Sequence, residues 1–90
     1  MKIYIQKLGE STFNVTVPGT VKTQHKVTVT DSSIHELTNG LVTKEALLNF
    51  SFKFLLNREP NTSILLSFEI SDITRYFPEY LNEVKRWCNS

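Results

Sequence analysis

The chain contains little cysteine, proline or glycine: its 90 residues include one cysteine, three prolines and three glycines. The single cysteine, Cys88, excludes an internal disulfide, and three glycines are too few for a phosphate-cradling loop. No apolar run approaches the roughly 20 residues that cross a bilayer. The first residues also lack the apolar segment and small-residue cleavage site of a secretory signal. We therefore expect a cytoplasmic protein with no membrane partner.

An excess of charge of either sign is also missing. Ten Lys and Arg residues are balanced by nine Asp and Glu residues, for a net charge of +1. Both signs occur in both halves of the chain, which argues against nucleic acid and membrane surfaces as partners. The hydrophobic fraction of 40% is typical of a globular protein.

Alternating apolar and polar residues over positions 1–30 predict three β-strands. The alternation is clearest at 12–17, where Phe13, Val15 and Val17 share one face. This period of two is typical of a half-buried antiparallel sheet. The connections are short, so we expect the strands to follow one another as a meander.

The spacing becomes helical from Asp31 onward. Asp31 or Ser32 is expected to cap a short helix that ends at Asn39-Gly40. Thr43 is expected to cap a central helix through residues 47–56, which carries apolar side chains on most sides.

A short apolar turn is expected at residues 64–68, and a last helix at 78–88. The resulting prediction is a single α+β domain over residues 1–90, with strands in 1–30 and helices in 31–88. In this fold, an N-terminal three-stranded antiparallel meander packs against two to three C-terminal helices.

The sequence contains no clear catalytic, metal-binding or cofactor-binding constellation. His25 and His35 stand at no ligand spacing with another histidine, cysteine or carboxylate, and we expect His25 to be a satisfied, partly buried residue. Cys88 lies at the end of the last expected helix, where the helix dipole does not activate a thiol, so we expect a small buried hydrophobe. We therefore expect no catalytic residue, no metal, no cofactor and no enzyme activity.

The order of elements over residues 26–56 resembles that of a ribbon-helix-helix DNA binder. In such dimers, strands from the two subunits pair and enter the major groove of DNA. The outward positions of the 26–30 strand carry only one basic residue, Lys26, and phosphate neutralisation needs several. A DNA-binding regulator or antitoxin that uses this strand is the alternative function.

Two segments carry a second resemblance, FLLNREPNTSIL at 54–65 and ITRYFPEY at 73–80. They are similar to a block found in short bacterial proteins of uncharacterised function, in which an FLLxREPxxSIL segment precedes an IxRYFPEY segment. The resemblance implies a bacterial origin. It implies no activity, cofactor or assigned site.

Five residues of these segments are candidates for an interaction patch: Arg58, Glu59, Arg75, Tyr76 and Tyr80. Arginine and tyrosine are enriched at interface hot spots. The other interpretation is structural, with an Arg–Glu pair and an Arg–Tyr stack that fix the junction between helices. We expect a protein-binding or assembly module whose partner is another protein, or a second copy of the chain paired through a free sheet edge.

Overall fold

Residues 2–89 of the chain are described by a computed structural model. Its strands are β1 (Tyr4–Lys7), β2 (Thr12–Val17), β3 (Thr23–Thr28) and β4 (Ser67–Glu69). Its helices are α1 (Asp31–Thr38), α2 (Lys44–Leu56), α3 (Ile73–Tyr76) and α4 (Tyr80–Cys88). Two 3-10 turns, Asn61–Ser63 and Ile70–Asp72, flank β4. The α+β class is therefore confirmed, although residues 2–89 contain four helices where two to three were predicted.

The sheet has the strand order β1-β2-β3-β4. The first three strands form the expected antiparallel meander, but β4 adds to β3 in parallel, so the sheet has four strands and is mixed. The prediction of three strands was wrong because β4 comes from the stretch that we expected to be a turn. A parallel partner needs a long crossover, which α1 and α2 supply here.

The core lies between one face of the sheet and the helices. Phe13, Val15 and Val17 of β2 are all fully buried, while the polar residues between them are only partly covered. Helix α2 buries six of its thirteen residues, from Leu47 to Leu55, against the core. Phe50 of α2 stacks on Trp87 of α4 with ring centroids 4.5 Å apart, which joins the last helix to the central one.

Helix caps follow from the local sequence. Thr43 caps α2 as predicted, because its side chain accepts a hydrogen bond from the Ala46 N–H. Helix α1 is capped by Thr30, one residue before the expected Asp31. Asn39 ends α1 in the left-handed conformation, with φ of 56°.

Among the residues described, no helix is both long enough and apolar enough to cross a membrane.

Candidate binding groove at the helix junction

An apolar groove of about 350 Å³ opens where the end of α2, β4 and α3 meet. This volume lies within the range of natural ligand pockets, which is roughly 300–1,000 Å³. Its floor is apolar and consists of Leu55, Ile64, Phe68, Ile73 and Phe77. Its rim is more exposed and consists of Glu59, Ser63, Leu65, Asp72 and Tyr76. The whole lining falls between residues 55 and 77.

The groove exists because three short elements break the chain between α2 and α4. Helix α2 stops before Pro60, and the 3-10 turn that follows redirects the chain toward β3. Phe77 takes a non-helical conformation, with φ of −132° and ψ of 89°, because the following Pro78 disfavours helical geometry. Helices α3 and α4 therefore remain separate, and the floor between α2, β4 and α3 is left uncovered.

A chain of hydrogen bonds fixes the rim residue Leu65 against β3. Asn61 donates from Nδ2 to the Thr23 Oγ1 at 2.9 Å. The Nε2 of His25 lies 2.8 Å from the same Oγ1, and its Nδ1 lies 2.8 Å from the Leu65 carbonyl oxygen. Because a carbonyl only accepts, Nδ1 carries a proton and donates to Leu65. His25 is hydrogen-bonded at both nitrogens, as predicted, but it is fully buried where partial burial was expected.

A second network fixes the other end of β4. The Glu69 carboxylate accepts hydrogen bonds from the Ser33 hydroxyl and from the N–H and hydroxyl of Ser71, the last two at 2.6 and 2.7 Å. The Thr30 hydroxyl in turn donates to Ser33 Oγ at 3.1 Å. Since Ser33 lies on α1, this carboxylate joins α1 to the end of β4.

The outer edge of β4 is open. The Lys26 N–H of β3 donates to the Leu66 carbonyl at 2.8 Å, and Lys26 is opposite Ser67 in the register. Because successive residues of a strand direct their backbone groups to opposite sides, the N–H and C=O of Ser67 point away from β3. The Glu69 N–H also faces this edge, and Asp72 accepts from it at 3.3 Å. The edge therefore presents the backbone of Ser67.

The structure brings together only two of the five candidate patch residues. Glu59 and Tyr76 both line the groove, and Tyr76 is 64% exposed. Arg58 and Arg75 are exposed but lie outside the lining of the groove.

Tyr80 does not belong to an exposed patch, because it is fully buried. Its hydroxyl lies 2.5 Å from the Ser51 hydroxyl in the core. Burial raises the pKa of the Tyr80 hydroxyl, and the nearby Glu69 charge adds to this, while the Ser51 hydrogen bond opposes it. The helical spacing of Tyr80 with Val84 was the signal for its buried position.

Arg58 has a structural role, but with partners other than those expected. It pairs with Glu79 at 3.2 Å, donates to the Phe54 carbonyl at 3.1 Å, and stacks its guanidinium on the Phe54 ring at 3.6 Å. The Glu79 backbone N–H and Arg58 together lower the pKa of the Glu79 carboxyl. Arg75 lies 3.7 Å from Asp72. The Arg–Glu pair thus joins α2 to the residue before α4, and Glu59 does not take part in it.

Sequence reasoning missed Leu65, Phe68 and Asp72 as lining residues. The available signal was the run Ile64-Leu65-Leu66, which is too apolar for an ordinary turn. Leu65 and Leu66 are 49% and 65% exposed.

The ribbon-helix-helix alternative requires a β3 edge that is free to pair with a second subunit. In the structure β3 pairs with β2 on one side and β4 on the other. Lys26 and Thr28 therefore lie in an interior strand, and this strand is not available as an intersubunit ribbon.

Residues 2–89 contain no group of three His, Cys, Asp or Glu side chains that could hold a metal ion. Cys88 is half-buried and is a free thiol. His35 is exposed on α1.

Comparisons of the chain with protein-family models, with curated proteins and with solved structures found no match.

Proposed function

We propose that this protein is a small non-enzymatic binding module that receives a segment of a partner protein in the groove between α2, β4 and α3. The observation that carries the proposal is the combination of an apolar floor with two exposed rim residues, Leu65 and Tyr76. A large apolar side chain of a partner would cover this surface.

The energetics favour an apolar occupant. Each square ångström of apolar surface removed from water contributes roughly 25 cal/mol, so an inserted side chain contributes about 1.5–3 kcal/mol. Tyrosine at a rim supplies a large contact area with only two rotatable bonds, which keeps the entropy cost of ordering low. Tyr76 therefore has the properties of an interface anchor.

The chemistry of the lining supports binding and offers no support for catalysis. Its polar groups are two carboxylates and one serine, together with the exposed tyrosine. Neither a histidine nor a cysteine lines the groove. The fully buried His25 donates to a backbone carbonyl and lies outside the lining.

The test is a selection of peptides that bind the purified protein, drawn from a random library, followed by affinity measurements on variants. We expect Tyr76→Ala to weaken binding of the selected peptides at least tenfold. The matched control is Tyr4→Ala, because Tyr4 is 58% exposed but lies on β1, away from the groove.

Equal affinities of the wild-type protein and the Tyr76→Ala variant would overturn the proposed groove. Light scattering on the purified chain tests the other occupant, a second copy. A dimer that dissociates on Tyr76→Ala would show that the groove receives the chain itself, and a monomer leaves the partner as a different protein.

A further inference from the structure

We propose that the partner segment binds as an extended strand on the open edge of β4, with an apolar side chain in the groove and a Lys or Arg side chain against Glu59. This inference rests on the proposed function and specifies how the groove is used. The expected occupant is a cationic and apolar strand of another protein.

The backbone geometry of β4 supplies the first argument. Ser67 directs its N–H and C=O away from β3, and these are the groups that an added strand would pair with. Leu65, Leu66 and Ser67 form a run of three exposed residues at this position. The edge is therefore exposed to solvent from Leu65 to Ser67.

The position of the groove relative to this edge supplies the second argument. Phe68 belongs to β4 and also lines the groove. Neighbouring strands lie about 4.8 Å apart and direct alternate side chains to the same face. A strand added to β4 therefore places every second side chain on the face where Phe68, Ile64 and Ile73 form the floor.

The two edges of the sheet differ in a way that favours β4. Native proteins protect edge strands with charged residues, above all lysine. Edge strand β1 ends in Lys7 and follows Lys2, whereas β4 carries Ser67 and no basic residue. The only charge of β4 is Glu69, which Ser33 and Ser71 hold at its far end.

The charges on the rim of the groove determine the sign of the charge expected on the partner. Glu59 forms no ion pair among the residues described, because Arg58 is directed to Glu79 and Arg75 to Asp72. The rim therefore presents one unpaired carboxylate and a second, Asp72, that is paired only at 3.7 Å. A partner cation beside the inserted apolar side chain complements this charge.

The first experiment removes the backbone donor of the edge. Proline is tolerated on an edge strand where its N–H would face solvent, so Ser67→Pro preserves the pairing of β4 with β3. The probes are the peptides selected on the wild-type protein. We expect Ser67→Pro to weaken their binding at least tenfold and the control Ser67→Ala to leave it within twofold.

A second measurement leaves the protein unchanged, so it does not depend on the folding of the Ser67→Pro variant. Each selected peptide is synthesised in two forms, N-methylated at odd or at even backbone positions. Strand addition predicts that one form loses binding at least tenfold while the other retains it. Equal affinities of the two forms would overturn strand addition.

The charge of the partner is tested with the same peptides. Replacement of the basic residue nearest the inserted side chain by Glu should weaken binding at least fivefold, and Glu59→Gln should remove this difference. Suppose that peptide affinity falls in the Tyr76→Ala variant but is unchanged by Ser67→Pro, N-methylation and Glu59→Gln. This result would overturn strand addition while still supporting the groove as the binding site. Peptides whose affinity is unchanged by Tyr76→Ala would overturn the proposed function itself.

Discussion

The hydroxyl groups of Ser51 and Tyr80 lie 2.5 Å apart inside the core, where neither side chain reaches solvent. Ser51 donates its proton to the Leu47 carbonyl at 2.7 Å, so the Tyr80 hydroxyl is the donor in the Ser51–Tyr80 pair. The Tyr80 hydroxyl therefore needs Ser51 as its acceptor, whereas Ser51 keeps its bond to Leu47 without Tyr80. Without Ser51 the tyrosine hydroxyl would be buried with no acceptor.

This asymmetry predicts the order of stability of three variants. Ser51→Ala should lower the free energy of unfolding by about 2–3 kcal/mol, because it buries an unsatisfied hydroxyl. Tyr80→Phe should cost only about 1 kcal/mol, since Ser51 keeps its bond to Leu47. The double variant should be at least as stable as Ser51→Ala alone, as measured by urea denaturation. A double variant whose losses simply add would contradict the role assigned to the pair.

Residue-scale prediction succeeded where local spacing decides the outcome. The Thr43 cap and the Asn39 helix end follow from contacts within a few residues along the chain. Glu59 and Arg58 are neighbours in sequence, yet Arg58 pairs with Glu79, 21 residues away. Sequence spacing alone could not supply this partner, because it depends on how α4 folds back toward α2.

At the scale of elements, β4 is the least predictable part of the fold, and its Phe68 forms part of the groove floor. It has only three residues, too few for an alternating pattern, and its pairing with β3 spans about 40 positions of the chain. The sequence therefore predicted a turn at 64–68. The strands that pair with their neighbours in the chain were predicted because their patterns are longer and their connections shorter.

The Glu69 network predicts how much β4 depends on α1. Glu69→Ala removes the acceptor of Ser33 and both bonds from Ser71, so the free energy of unfolding should fall by about 2–3 kcal/mol. Glu36→Ala is the matched control, because Glu36 is an exposed carboxylate on α1. It should change stability by less than about 0.5 kcal/mol in the same denaturation experiment.

If the Glu69→Ala and Glu36→Ala variants unfold at the same urea concentration, the Glu69 hydrogen bonds do not stabilise the attachment of β4 to α1. Native-state hydrogen exchange gives the local form of this test. Backbone amides of β3 and β4 should exchange faster in the Glu69→Ala variant, since opening of β4 exposes them.

At the scale of the whole molecule, the sheet has one polar face and an open edge at β4. The face opposite the helices carries polar side chains such as Asn14, Thr16 and Gln24. Eight of the nineteen charged side chains form ion pairs within the fold. For example, Lys44 pairs with Asp31 at 2.8 Å and, by this hydrogen bond, lowers the pKa of the Asp31 carboxyl. Glu59 has no ion-pair partner among residues 2–89 and lies on the rim of the groove.

The measurement that tests the binding groove most directly is amide chemical-shift mapping of the protein with a selected peptide bound. We expect the largest shifts at residues 64–68 and 73–77, with Ser67 among them. Residues of β1 and of the polar sheet face should change little. Shifts concentrated on β1 or on that face, with 64–68 and 73–77 unaffected, would contradict the account.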